Sequence, residues 1–121
     1  MRRIVNLTQH NPTPEQIRKG VENLDERHEE IKELLTFDEI PTKEELEDRA
    51  KRLARIVLEE GVYDAAMIGG APYFMSYLEK ALKEAGIQPL YSFTRREVEE
   101  VKDGDKVIKK SVFKHIGFVE V

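Results

Sequence analysis

Apolar residues recur along this chain with two different periods, and the changes of period mark its elements. Residues 2–9, RRIVNLTQ, carry a β-branched apolar pair and stop at QHNPTP, where two prolines remove donors and fix φ, so a first strand and then a loop are expected. TPEQ (13–16) reads as a helix start, with Thr13 as N-cap, Pro14 at the first helical position and Gln16 three residues after the cap. Gly20 ends that short helix. Over 22–37, Leu24, His28, Ile31, Leu34 and Leu35 fall at helical spacing, which predicts a second helical segment. Over 41–61, Thr42 and Glu45 make a capping box, and Leu46, Ala50, Leu53, Ala54, Val57 and Leu58 form one apolar stripe that closes at Gly61.

DAAMIGG (64–70) is a short apolar run bounded by turn residues, the pattern of a central strand buried on both faces. PYFMSYLEKALKEAG follows as a helix with Phe74, Leu78, Ala81, Leu82 and Ala85 inward, and IQPLYSFT (87–94) returns as a parallel strand through a crossover. Beyond it, Asp103-Gly104 sits between alternating segments and signals an antiparallel hairpin. Pairing Val101 with Lys106 sets a register that brings His115 near Ser92 and Phe113 near Thr94. The expected fold is therefore one α/β domain over 1–121: a Rossmann-like, mostly parallel sheet with flanking helices and a C-terminal antiparallel β-hairpin.

Charge narrows the partners. A formal charge of −4 does not suit the many phosphate contacts that a long nucleic acid requires, whereas a small anion in one local site remains compatible. Residues 1–61 hold 11 basic and 15 acidic side chains and residues 91–121 hold 7 and 6, so the C-terminal third is the more hospitable end for an anion. With no cysteine there is no disulfide framework, thiolate zinc site or cysteine nucleophile. No apolar run reaches the length of a membrane span, and Met1-Arg2-Arg3 leads into a strand rather than a signal peptide, which makes cytoplasmic the expected address.

Ligands of open parallel sheets collect beyond the carboxyl ends of the strands. Three segments qualify: TQHNPT, GGAPY and TRRE. Gly69 and Gly70 lack a Cβ, so they either only make the turn and admit close helix packing, or they let backbone N–H groups approach a phosphate at the helix start after Ala71. The turn has no Lys-Ser/Thr, which disfavours a P-loop. Arg95 and Arg96 offer guanidiniums at the end of the third strand beside Thr94, and alternation allows only one of them to serve the cleft. His10, with Thr8 and Gln9, supplies a titratable group and two neutral hydrogen-bonding side chains. Tyr73 is a candidate base-stacking ring. His115 reads as a packing residue or a partner of Ser92. No histidine pair has metal-site spacing and no serine has a nucleophile-elbow context, so no metal, cofactor or triad is expected.

The C-terminal half, residues 66–121, resembles a small CRISPR-associated family of the Csx type, counted among the ring nucleases. The likeness rests on Pro89 with Tyr91, on Thr94, Arg96 and Glu97, on the Asp103-Gly104 hairpin, and on Phe113, His115 and Phe118; LTQHNPTPEQ aligns loosely through His10, Thr13, Glu15 and Gln16. GGAP stands where that family has a Gly-Asp type turn. The resemblance implies a CARF-related fold and metal-independent cleavage of cyclic oligoadenylate messengers of type III systems. In that chemistry the ligand's 2′-hydroxyl attacks the adjacent phosphate and leaves a 2′,3′-cyclic phosphate end. It casts Gly70, Ala71 and the helix start as N–H donors, Arg95 or Arg96 as the cation and His10 as the proton carrier. A cyclic tetra-adenylate has rotational symmetry that a homodimer would match. A nucleotide-binding module without catalysis, and a small interaction protein without ligand, are the alternative readings.

Overall fold

Ala65–Ile68 forms a four-residue strand buried along its whole length, as its apolar run predicts. The computed structural model describes residues 2–121, and Met1 lies outside them. In chain order the elements are β1 (Ile4–Leu7), α1 (Pro14–Arg18), β2 (Val21–Glu22), α2 (His28–Leu35), α3 (Lys43–Glu60), β3 (Ala65–Ile68), α4 (Pro72–Glu84), β4 (Gln88–Asp103) and β5 (Lys106–Glu120). They build one sheet in the order β2-β1-β3-β4-β5, in which only the β4–β5 pair is antiparallel. The α/β class, the central position of β3, the parallel return through α4 and the terminal hairpin all follow the pattern of the sequence.

Alternation along the strands divides the interior into two clusters. Val5, Leu7, Ala66 and Ile68 face α2, α3 and α4, where Ile31, Leu53, Val57, Phe74, Leu78 and Leu82 are buried. Ile4, Ala65, Met67 and Leu90 face the other way, toward Val21 and the half-buried Phe118. Three helices thus cover one face. The five-residue α1 buries only Gln16 on the other.

Three expectations are corrected. Glu22, expected to open the helical segment, belongs to an edge strand with Val21, because Val21 pairs beside Ile4 and fills the smaller cluster; α2 starts only at His28, after a 3-10 turn. The Thr42 cap is one-sided: Thr42 accepts from the Glu45 N–H, but the Glu45 carboxylate turns to Arg49 at 2.8 Å instead of returning to the cap. The hairpin register is shifted by two residues, so that Val101 faces Ile108 and Asp103 faces Lys106. Gly104, at φ +63 and followed by Asp105 at negative φ, makes a two-residue turn of the II′ kind, tighter than the pairing of Val101 with Lys106 would allow.

β3 pairs with β4 only through Gln88–Leu90, so the rest of β4 runs on past the sheet with β5 as its only neighbour. This two-stranded ribbon leaves the sheet from the edge where the parallel strands end. Strict alternation breaks once, where Phe93 pairs with Gly117 but Thr94 pairs with His115, leaving Ile116 as the extra residue of a bulge. Most of the ribbon is solvated, and Phe113 is 74 % exposed.

Core and ribbon should respond differently to truncation. Leu53→Ala is expected to lower unfolding free energy by about 3 kcal/mol through lost burial and a residual cavity, whereas Phe113→Ala should change it by less than about 0.5 kcal/mol. Urea denaturation of the two variants checks both values.

Candidate functional site

The site begins with a polar residue inside an apolar strand. Asn6, 1 % exposed, donates through Nδ2 to the His10 carbonyl at 2.7 Å and to Asn23 Oδ1 at 3.0 Å. Its Oδ1 accepts from the Thr8 N–H at 3.1 Å and from the Thr8 hydroxyl at 2.8 Å. One buried amide therefore ties the loop after β1 into shape and links it to the segment after β2. Gln9 anchors the same loop outward, donating to Thr36 Oγ1 at 2.9 Å and to the Leu35 carbonyl.

This loop, the turn after β3 and the start of the ribbon enclose a cleft of about 470 Å³, within the range of small-molecule sites. Of the residues expected to bind or act, Thr8, Gln9, His10, Gly69, Gly70 and Thr94 line it. Asn11, Gln16, Tyr91 and Ser92 join them. Thr8 spends its hydroxyl inside the loop and the Gln9 amide donates to the end of α2, while the His10 side chain is exposed on the rim.

The other expected residues stand elsewhere. Ala71 is the N-cap of α4 and gives no side-chain cap to the helix. Tyr73 leaves the cleft to meet Phe37 edge-on at 5.5 Å, beside a second hollow with Ile40 and Leu46. Arg95 and Arg96 lie on the ribbon. Arg96 shares a face with Thr94 and Ser92 and donates to Ser111 Oγ at 3.0 Å, while Arg95 points to the opposite face, paired with Lys114.

Gly69 and Gly70 differ in what the backbone asks of them. Gly70 has φ +149, which L side chains rarely adopt. A Cβ on Gly69 would meet only the Thr8 methyl at 3.7 Å, an ordinary contact, so the fold alone does not demand glycine there.

A second polar chain runs behind the cleft wall. Gln16 closes the capping box of α1, its Oε1 accepting from the Thr13 N–H at 2.9 Å, and its Nε2 donates to Ser92 Oγ at 3.2 Å. Ser92 Oγ in turn lies 2.6 Å from His115 Nδ1. The bulge at Ile116 turns His115 to the side of Ser92 and Phe118, whose ring is 4.7 Å away, so His115 is 9 % exposed and its Nε2 has no partner. Burial, helped by the nearby Lys19 ammonium and opposed by Glu15, pushes the imidazole pKa below its ordinary value. Tyr91 donates to Glu79 at 2.6 Å; burial and that carboxylate raise its pKa far above the usual phenol range. Among the described residues, no three His, Asp or Glu side chains gather as a metal site.

Asn6 and Gln16 in its second role are the site residues that pattern reading missed, whereas Ser92 was named as a partner of His115. The signal for Asn6 was legible, an amide in the middle of IVNL where every neighbour is buried. For Ser92 the signal was the expected proximity to His115, which the bulge beside Gly117 turns into a 2.6 Å contact.

Over residues 2–119 the chain matches the family described as the uncharacterized protein MJ1673 family. No curated protein and no solved structure matches it.

Two predictions come from this geometry. Because the native imidazole of His115 binds its proton less readily than in the unfolded chain, stability should fall as pH drops below the ordinary value of 6.5 and level off once pH passes below the native pKa. Urea midpoints from pH 7.5 to 5 should show this loss, and His115→Gln should remove that part of the profile. Gly70→Ala should cost about 1 kcal/mol or more through backbone strain. By contrast, Gly69→Ala should leave stability nearly unchanged, and any loss of ligand binding in that variant, read by calorimetry, reports close approach of the ligand to the backbone.

Proposed function

We propose that this chain, which belongs to the MJ1673 family, is a metal-independent ring nuclease with a Rossmann-like, CARF-related sheet. Its substrate in this reading is a cyclic oligoadenylate, cyclic tetra-adenylate first, and its role is to switch off type III CRISPR signalling in the cytoplasm. The observation that carries the reading is the convergence of His10, Gly69, Gly70 and Thr94, from two loops and the strand β4, on one cleft at the carboxyl edge.

A volume of about 470 Å³ suits one nucleotide rather than a ring of four, so a twofold homodimer would offer two such clefts to one ligand. In the cleavage step the ribose 2′-oxygen forms a bond to phosphorus, the bond from phosphorus to the 5′-oxygen breaks, and the 2′-proton leaves to His10. The 5′-oxygen departs with a proton from solvent. Backbone N–H groups at Gly70-Ala71 and the start of α4 would meet charge on the phosphoryl oxygens. Arg96 is the arginine on the same ribbon face as Thr94 and is the cation assigned here, in preference to Arg95.

A second reading, a module that binds the nucleotide without cutting it, is favoured by one observation: both guanidiniums stand on the ribbon and not in the cleft lining. Incubation with labelled cyclic tetra-adenylate, with and without EDTA, separates the two. EDTA-resistant products with 2′,3′-cyclic phosphate ends are expected; retention without cleavage supports the binding module, and neither result overturns both. Arg96→Ala should weaken retention more than Arg95→Ala, and His10→Ala should slow cleavage about a hundredfold without loss of binding.

A further inference from the structure

The cleft wall holds a hydroxyl set between an amide donor and an imidazole nitrogen. In Gln16, Oε1 is engaged by the Thr13 N–H, so the NH₂ end must be the one that meets Ser92 Oγ. Ser92 therefore accepts from Gln16, and its own hydrogen is free to point along the 2.6 Å contact to His115 Nδ1. The imidazole is buried, kept from charging by burial and Lys19, and held against Phe118; in the tautomer that carries its proton on Nε2, Nδ1 is the acceptor for this hydrogen. Ser92 itself lines the cleft, and Gly69-Gly70 lines it as well.

We infer that Ser92 and His115 are a nucleophile and base pair that gives this cleft an ester-hydrolysing activity on small, uncharged esters. Ser92 Oγ bonds to the ester's carbonyl carbon while its proton passes to His115 Nδ1. The oxyanion develops toward the Gly69-Gly70 wall. The carbon–oxygen bond to the alcohol then breaks, and that alcohol leaves with the proton from His115. Water attacks the acyl-serine by the same route, releasing the acid and restoring the hydroxyl. The only ionisable side chains in the lining are His10 and the firmly protonated Tyr91, so the lining presents no fixed charge to repel or demand an ionic substrate.

The pair stands on its own hydrogen-bond geometry and does not depend on cyclic nucleotide cleavage. A fluorophosphonate, which loses fluoride when a serine oxygen bonds to its phosphorus, tests it on the full chain. Peptide mass spectrometry is expected to find one adduct on Ser92, absent in Ser92→Ala and formed at least a hundredfold more slowly in His115→Gln. In the wild type the labelling rate should rise with pH as His115 loses its proton, and p-nitrophenyl acetate should turn over with the same dependence. No adduct, an adduct on another residue, or a labelling rate indifferent to pH overturns the inference. If His115→Gln fails to fold, the wild-type pH profile decides alone.

Discussion

The double burial of β3 is the constraint on which the other elements depend. Its four residues pair with β1 on one side, three of them pair with β4 on the other, and their side chains alternate between the two clusters. Leu7 faces Ile68 and Met67 faces Leu90, so the three parallel strands end almost level. The chain leaves the sheet at Thr8, at Gly69 and along Tyr91-Ser92, which is why segments distant in sequence share one wall. Ala65 and Ala66 matter here because larger side chains would move both layers apart.

Polar groups then hold the ends that the apolar packing leaves loose. Asn6 satisfies the first loop, and Gln16 serves the helix cap and Ser92 with a single amide. Arg49 does comparable work across the helical layer: it donates to the Thr36 carbonyl at 2.7 Å, stacks 4.4 Å over Phe37 and pairs with Glu45. That pairing accounts for the one-sided cap at Thr42, since α2 needs its last carbonyls satisfied more than α3 needs a second capping bond. Each of these side chains joins two elements, so their loss would loosen contacts between elements rather than a single helix end.

The elements with strong local signals were legible in the sequence, and the features governed by distant pairing were not. Thr13-Pro14 and Thr42 announce their helices, the apolar run 65–68 announces the central strand, and Gly104 announces the hairpin. Val21–Glu22 is too short to show a period, and its strand state comes from its place beside β1. The bulge at Ile116 changes which face every later residue occupies, and Gly117 beside it was not read as its mark, so the path from Ser92 to His115 was visible only as a rough proximity. In the cleft, the expected His10, Gly69, Gly70 and Thr94 converge as strand order dictates. The arginines depart from it because the third strand does not stop at Thr94 but continues into the ribbon, and carries them along.

Continuing that strand creates a hazard of self-association. Past Leu90 both margins of the ribbon carry unpaired backbone donors and acceptors, an open template for any extended chain. Against this, β5 carries lysines at 106, 109, 110 and 114, distributed over both of its faces, with a single acidic residue at its far end. A copy approaching margin to margin along β5 would bring ammonium groups against ammonium groups, a repulsion that opposes association through the exposed Val107, Ile108 and Phe113. The charge pattern of the tail is thus a guard against runaway β-stacking, and it keeps a long, uncovered hairpin compatible with life in a crowded solution.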